Sequence, residues 1–406
     1  MRTDDRPGRD ERETPGTLSS CLDQPGTTEE GPDLASILSG FDGPGAFLSG
    51  ARFGTGHLNE TYLVHCEGGR APGRFVLQRL NTGIFRDPVA VMENIVQVTR
   101  HLRRRLATAC PGQEERRVLT LIHRKGGPES YLNDPVLGFW RCMIHIDGAR
   151  THDVLESPSQ AYAAARGFGG FQRLLGDYDG PRLVETISRF HDTRVRLEHL
   201  RQAVASDPLG RAAETSREID FAFEREELAD SLLRLQASGE IPERITHNDT
   251  KLNNVMLDDA TGEGICVMDL DTVMPGLSLY DFGDMVRSAC NSAAEDERDL
   301  SRIAAREDVF EALARGYLEG SDGILLPVER QSMALAGRLL TYECGVRFLT
   351  DHLEGDGYFR IHRPGHNLDR ARNQFALLRS LEQKDAVLQR IIQGLPAASR
   401  SAAGRP

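Results

Sequence analysis

Lysine is nearly absent from this chain: Lys125, Lys251 and Lys384 are its only three among 49 lysines and arginines in 406 residues. Against 61 acidic residues the formal net charge is −12, which argues against general nucleic-acid binding, since phosphate contacts need a concentrated basic surface. The one basic run, "RHLRRRL" (Arg100 to Leu106), reads as the solvated face of a helix. Long apolar stretches are missing as well. No window approaches the ~18 uncharged apolar residues of a membrane span, and the N-terminus "MRTDDRPGRDERETPG" has no apolar leader core. A soluble, cytoplasmic protein with no membrane partner is expected. The seven cysteines are scattered, odd in number and without a C-x-x-C pair, which argues against a zinc site or a disulfide framework and for reduced thiols.

What is present is ordinary globular composition, 39% hydrophobic and 27% charged, in a chain long enough for two or three domains or lobes. Residues 1–33, rich in Asp, Glu, Arg, Gly, Pro and Thr, cannot offset their ordering entropy and read as a disordered tail. "ETYLVHC", "RFVLQRL", "RRVLTLIH" and "GFWRCMIHI" read as strands separated by turns. "DPVAVMENIVQVTRHLRRRL" reads as a helix with Pro at its entry. From residue 158 onward most segments are helical. This pattern predicts a strand-rich lobe at 34–142, a hinge at 143–149, a helical lobe at 150–396 and a flexible tail at 397–406. Trp140 is expected in the core.

The informative stretch runs from Ile245 to Thr272, "ITHNDTKLNNVMLDDATGEGICVMDLDT". "NVML" and "ICVM" are short strands joined by "DDATGEG", which has the Asp and Gly content of a hairpin loop. Antiparallel pairing places Asn254 beside Asp269, with Asp249 in the loop feeding the first strand and Asp271 just beyond. Oxygen ligands gathered in this way, with room for water and phosphate, suit Mg²⁺. Each of these residues taken singly also fits a capping or turn role.

The segment His247 to Asn254 resembles the H-R-D-x-x-x-x-N catalytic loop of the protein-kinase-like fold. It is closer to the H-x-D-x-x-x-x-N loop of aminoglycoside phosphotransferases and choline kinases. Within that group "THNDTKLNNVMLD…DLDTVMPGLSLYDFGD" is similar to the N-acetylhexosamine 1-kinases, as are "FGTGHLNETYLV", "FVLQRLNTGIFRDPVAVMENI" and "RFLTDHLEGDGYF…HNLDRARNQF". The similarity spans most of residues 45–382. It implies an α/β (α+β) fold of two lobes, with Asp249 as catalytic base or hydroxyl-orienting residue. By the same resemblance Lys251 faces the transferring phosphate, Asn254 and Asp269 hold Mg²⁺, and His247 orients the loop. Asp281 and Asp284 brace that loop despite the literal "DFG", while Asp271 is either a second metal ligand or a bystander.

The turn "FGTGHLNETYLV" resembles the one that covers nucleotide phosphates. Gly54 and Gly56 would permit close approach, and the amides of Thr55, His57 and Leu58 would donate to phosphate oxygens. Where protein kinases have a strand lysine, "VLQR" offers Arg79, with Gln78 the competing register. Arg can grip phosphates bidentately, and Glu93 is the candidate to position it or else forms an exposed pair of little value. Backbone groups of Met143 to His145 would meet adenine.

For the acceptor, a helix from about Met333 puts Glu343, Arg347 and Asp351 at i, i+4 and i+8, a polar stripe on an apolar helix. It reads as a salt-bridge ladder or as a sugar site. The resemblance favours the sugar site and adds Tyr358, Arg360, His366, Asn367 and Arg370. It implies an enzyme that moves the γ-phosphoryl of ATP, with Mg²⁺, to the anomeric hydroxyl of an N-acetylhexosamine. Alternatives are a related kinase of another small alcohol (an aminoglycoside, choline or homoserine), a protein kinase, a nucleotide-binding pseudokinase, or a glycoside hydrolase with paired carboxylates. The oligomeric state stays open, with a monomer favoured.

Overall fold

A computed structural model describes residues 31–54, 59–69 and 73–396. Most of the two expected tails lies outside these residues, as do Thr55, Gly56, His57 and Leu58 of the phosphate turn. The chain divides into Met1–Asp33 and Leu34–Pro406, and Gly31–Asp33 form no regular element.

The second unit opens with α1 (Leu34–Ser39), β1 (Ala46–Arg52), β2 (Glu60–Glu67), β3 (Arg74–Arg79), α2 (Pro88–Ala109), α3 (Glu114–Arg117), β4 (Leu132–Asp134) and β5 (Gly138–Ile144). The five strands make one antiparallel sheet in the order β1-β2-β3-β5-β4. Side chains alternate across it. Phe75, Leu77 and Trp140 pack with Ile37 and Leu38 of α1 on one face, whereas Val76 and Met143 pack with Val91, Met92, Ile95 and Val98 of α2 on the other. Those α2 residues recur at helical spacing, and each fully buried one contributes about 1.5–3 kcal/mol. Asp87 caps α2, its carboxylate accepting from Ala90 N at 3.0 Å, with Pro88 at the first helical position. Trp140 is fully buried and donates its indole N–H to Leu137 O at 2.6 Å.

One expected strand fails. Arg116 and Arg117 of "RRVLTLIH" close α3, and the rest pairs with β5 only through the Leu121–Met143 bridge and bonds from Ile122 N to Cys142 O (2.8 Å) and Ile144 N to Thr120 O (2.9 Å). The acidic-then-basic sequence "EERR" suits a short helix and its dipole, which the apolar alternation concealed.

The remainder is mainly helical: β6 (Ala149–Arg150), α4 (Pro158–Leu175), α5 (Thr193–Ser206), α6 (Ser216–Phe223), α7 (Ser231–Ala237), β7 (Arg244–Thr246), β8 (Val255–Asp258), β9 (Gly264–Val267), β10 (Met274–Gly276), α8 (Ser278–Ala289), α9 (Glu307–Ser321), α10 (Pro327–Gln331), α11 (Met333–Glu354), α12 (His366–Gln383) and α13 (Asp385–Gly394). A sheet-based lobe followed by a helical one is the two-lobe α/β arrangement of kinase-like proteins. The expected hairpin is present, with Val255 opposite Val267. Helices α4 and α9 approach through glycines: a Cβ on Gly316 would lie 2.3 Å from Tyr162 O, and one on Gly320 2.3 Å from Arg166 O. Gly283 does the same for α8 against α11, where a Cβ would meet Ala336 O at 2.4 Å. The described cysteines are free thiols, and no described helix is long and apolar enough to cross a membrane.

Candidate active site

The loop between β7 and β8 is held from several sides before any substrate is considered. Asp281, fully buried on α8, accepts from Asn248 N (2.7 Å), His247 N (3.1 Å) and Gln172 Nε2 (2.7 Å), while its own carbonyl accepts from Thr250 Oγ1 at 2.5 Å. Thr272 Oγ1 donates to His247 O at 2.7 Å, and His247 Nε2 lies 2.7 Å from Met268 O. Asn248 takes the left-handed conformation at φ 65°, where short amide side chains are tolerated. Its carbonyl lies 3.0 Å from His191 Nε2, and His191 Nδ1 lies 2.8 Å from Glu343 Oε1. Asp249 is therefore presented by a braced backbone.

The Asp249 carboxylate faces two donors. Lys251 Nζ lies 2.7 Å from Oδ1, and Asn254 Nδ2 donates to Oδ2 at 3.0 Å. Burial alone would raise its pKa, but the Lys251 ammonium, with His247 and Arg287 further off, brings it down to about 2. Across the hairpin, Met268 N donates to Asn254 O at 2.7 Å, which sets Asp269 beside Asn254. Asp269 is left-handed at φ 52° and makes no hydrogen bond or ion pair among the described residues. Burial first, then the charges of Asp271 and Asp249, push its pKa up to about 6. A partnerless carboxylate beside an amide whose Oδ1 is free is a donor set that fits a hard divalent cation.

Asp271 is neither free nor aimed at such an ion. It is ion-paired with Arg141 of β5, both side chains 3% exposed, and it accepts from Asn59 Nδ2 at 2.6 Å. Arg141 Nε in turn donates to Gln78 Oε1 at 2.8 Å.

That network corrects the reading of β3. Gln78 points to the α2 face, toward Arg141, so Arg79 points to the opposite one. Its guanidinium stands over Gly138 and 3.9 Å from Glu60, 45% exposed. Glu93 is exposed on α2 and does not position Arg79; the adjacent Asn94 is buried instead and ties α2 to Val273 O (3.0 Å) and Val184 O (2.8 Å). Gly54 has φ 80°, open to glycine at no steric cost. At the hinge, Met143 is buried opposite Val76. The amides of Ile144 and His145 already donate to Thr120 O and Arg74 O (2.9 and 3.2 Å), so adenine would have to meet other backbone groups there. The His145 ring lies 5.8 Å from that of Phe53, its Nδ1 2.6 Å from Asp147.

The stripe on α11 does not act as one surface. Glu343 is buried against His191 and Thr193 Oγ1, the latter at 2.6 Å. Asp351 accepts from the amides of Tyr358 (2.8 Å) and Phe359 (2.9 Å) and from Asn367 Nδ2 (2.8 Å), so Asp351 and Asn367 shape the loop after α11. Arg347 instead packs among aromatic rings. Its guanidinium carbon lies 5.2 Å from the Phe190 ring, 5.7 Å from Tyr358 and 5.4 Å from Phe359, with Tyr358 Oη 3.4 Å from Nη2 and no carboxylate of the described residues in ion-pair range. Arg370 sits over Phe348 at 5.3 Å, 3.7 Å from Glu295. His366 lies 3.3 Å from Asp296, and the Arg360 side chain is exposed, only its carbonyl accepting from Arg370 at 3.3 Å.

Sequence reasoning missed Arg287. One α8 turn carries Asp284 and Arg287 at i, i+3, joined at 2.7 Å, and Arg287 continues to Glu295 at 2.9 Å. Asp284 Oδ2 is buried without a partner. This cluster lies between Lys251 and Arg347, close enough to act on the charge of both. The spacing in "DMVR" was the available signal. A cavity of about 1100 Å³ lies elsewhere, between α2, α4, β9 and the end of α9, and none of Asp249, Asn254 or Asp269 lines it.

A kinase-like two-lobe fold with a braced Asp249 and a cation-ready hairpin end defines a class, the enzymes of phosphoryl transfer. Comparison with known families agrees: the model of the phosphotransferase enzyme family matches residues 49–323. The chain belongs to that family. Among solved structures it is similar to a microcompartment-associated aminopropanol kinase, with 13% identity over 87% of this chain and 97% of that one and a TM-score of 0.53. A spectinomycin phosphotransferase in complex with ADP and spectinomycin matches at 12% identity over 86% and 98%, with a TM-score of 0.53. An aminoglycoside phosphotransferase from Alicyclobacillus acidocaldarius matches at 15% identity over 89% and 96%, with a TM-score of 0.51.

Proposed function

We propose that this protein transfers the γ-phosphoryl of ATP to the anomeric hydroxyl of an N-acetylhexosamine, giving the sugar 1-phosphate and ADP. The observation that carries the reading is Asp249, kept ionised beside Lys251 at the mouth of the hairpin where Asp269 lacks a partner. Phosphoryl transfer requires mainly positioning and charge stabilisation. Asn254 and Asp269 would hold Mg²⁺, which when bound would neutralise phosphate charge.

Asp249 accepts the hydrogen bond of the acceptor hydroxyl and aims its oxygen at the γ-phosphorus. As the new O–P bond forms and the bond to the β-phosphate oxygen breaks, the hydroxyl proton passes to Asp249 and the electron pair leaves with ADP. A carboxylate with a pKa of about 2 is a weak base, which suits an anomeric hydroxyl, more acidic than an ordinary alcohol. Lys251 would offset charge on the transferring group.

Arg347 supports this reading over the runner-up. Choline, aminopropanol and aminoglycosides are cations under ordinary conditions, and the ring cluster that would receive a cation already holds a guanidinium. A neutral hexose can lay its C–H face on Tyr358 and Phe190 and accept hydrogen bonds from Arg347 and Arg287. The test is coupled ADP release with ATP and Mg²⁺ against N-acetylglucosamine, N-acetylgalactosamine, glucose, galactose, choline, homoserine and kanamycin, with phosphorus NMR on the product. Asp249→Asn is expected to lower turnover by several orders of magnitude while ADP still binds. Activity confined to the amines would overturn the acceptor assignment.

A further inference from the structure

Kinase-like catalysis uses a cation on the nucleotide phosphates and an acid that holds the cation in place. The expected pair, Arg79 with Glu93, is not formed: one side chain faces the α1 side of the sheet and the other is exposed. Another acid–guanidinium pair, Arg141 with Asp271, is formed and buried on the α2 face of the sheet. We propose that Arg141 is the residue that grips the nucleotide phosphates, with Asp271 and Gln78 as its positioning partners. The proposal rests on the nucleotide-dependent reading above.

Three observations converge on it. Arg141 lies on the same face as Gln78, opposite it in the β3–β5 ladder, and Gln78 Oε1 accepts from its Nε at 2.8 Å while Gln78 Nε2 donates to Thr61 Oγ1 of β2 at 3.0 Å. Its charge is matched by Asp271, two residues beyond Asp269 on the metal-facing loop. Asn59, which follows the phosphate turn directly, donates to the other Asp271 oxygen at 2.6 Å and accepts from Asn81 N at 3.0 Å. The guanidinium therefore sits where β3, Asn59 just before β2 and the loop after β9 meet. Of its five N–H groups the described residues engage three, Nε and one on Nη2 with Gln78 and one on Nη1 with Asp271. Two remain for phosphate oxygens. With both partners 3% exposed, little water screens the charge. The three contacts fix the planar fork before nucleotide arrives, which a lysine on a flexible stem could not reproduce.

The experiment measures ADP and adenosine binding by calorimetry on the full chain, with Mg²⁺ and again with EDTA. Arg141→Gln is expected to weaken ADP roughly tenfold or more, the worth of a charged hydrogen bond, and to leave adenosine within about twofold. Arg79→Gln is expected to match the parent for both. Equal loss of ADP and adenosine in a folded Arg141→Gln would show a purely architectural role and overturn the proposal, as would unaltered ADP binding. If Arg141→Gln does not fold, Arg141→Lys gives the reading: loss of ADP beyond loss of adenosine supports the grip, and equal loss refutes it. A parent protein that binds adenosine and ADP equally would refute the grip while leaving the acceptor chemistry to the substrate panel.

Discussion

Glu343 was expected to touch sugar, and the structure gives it another task whose consequences can be measured. Its two oxygens take His191 Nδ1 at 2.8 Å and Thr193 Oγ1 at 2.6 Å, and His191 passes the constraint on through Nε2 to Asn248 O at 3.0 Å. Both ring nitrogens can donate only when His191 is an imidazolium. Burial opposes that charge, and Glu343 overrides the burial, so the His191 pKa stands above its usual value. Burial would likewise raise Glu343, but His191 and Arg347 hold it below the usual carboxylate range. Glu343→Gln removes the charge that keeps the ring protonated. A neutral ring with Nδ1–H toward Gln would turn a lone pair on Asn248 O, one residue before Asp249. Losing a charged hydrogen bond costs about 1.5–3 kcal/mol. At ~2.1 cal/mol/K per residue, about 0.8 kcal/mol/K for a chain of this size, Tm should fall by roughly 2–4 °C. The pH sign follows from the two shifts. The contribution of His191 is complete below about pH 6.5 and is lost as pH rises through its raised pKa. The contribution of Glu343 is present above about pH 4.5 and is lost as pH falls through its lowered one. The Tm gap between parent and Glu343→Gln is thus widest between about pH 5 and 6.5 and narrows in alkali. In steady-state kinetics a displaced Asp249 lowers kcat, by roughly ten- to a hundredfold, and leaves KM for the acceptor within about twofold. An acceptor KM raised tenfold with kcat intact would refute the brace and return Glu343 to the substrate site.

Two other substitutions test the frame around the site. Asp281→Ala strands the amides of His247 and Asn248 in a fully buried position and removes a charged acceptor of three bonds; about 3–5 kcal/mol of destabilisation and loss of turnover are expected, read by denaturant unfolding and by ADP release. Gly316→Ala places a methyl 2.3 Å from Tyr162 O between α4 and α9, so about 1–3 kcal/mol should be lost by the same unfolding assay with the acceptor KM unchanged.

The catalytic loop and hairpin were legible because their logic is local. Antiparallel pairing of two strands five residues apart is enough to bring Asn254 to Asp269, and the loop Asp precedes them by a fixed count. Parity was not legible on β3: a shift of one residue exchanges the faces of Gln78 and Arg79, and nothing within "VLQR" sets which looks inward. Nor can a sequence announce that Arg141 meets Asp271 130 residues later. On α11 the error was angular. Steps of four residues advance 400°, so Glu343, Arg347 and Asp351 drift by about 40° each across the helix. The drift suffices to give them a histidine, a ring cluster and a loop backbone as separate partners.

The three aspartates around the hairpin differ in role because they differ in company, not in kind. Asp249 has an ammonium at 2.7 Å and stays ionised. Asp271 is satisfied by Arg141 and Asn59. Asp269, between two negative neighbours and without a donor, is left with a raised pKa. The Arg141–Asp271 pair is what makes this division hold. If Arg141 were absent, Asp271 would be a second partnerless carboxylate close to Asp269, and the two would compete for one cation or share one proton. By engaging Asp271, a residue of the sheet leaves Asp269 as the hairpin carboxylate without a donor and ties the first lobe to the loop that bears it. On the proposed grip, a buried Arg on β5 would thus bear on both halves of nucleotide recognition, the phosphates and the ion between them.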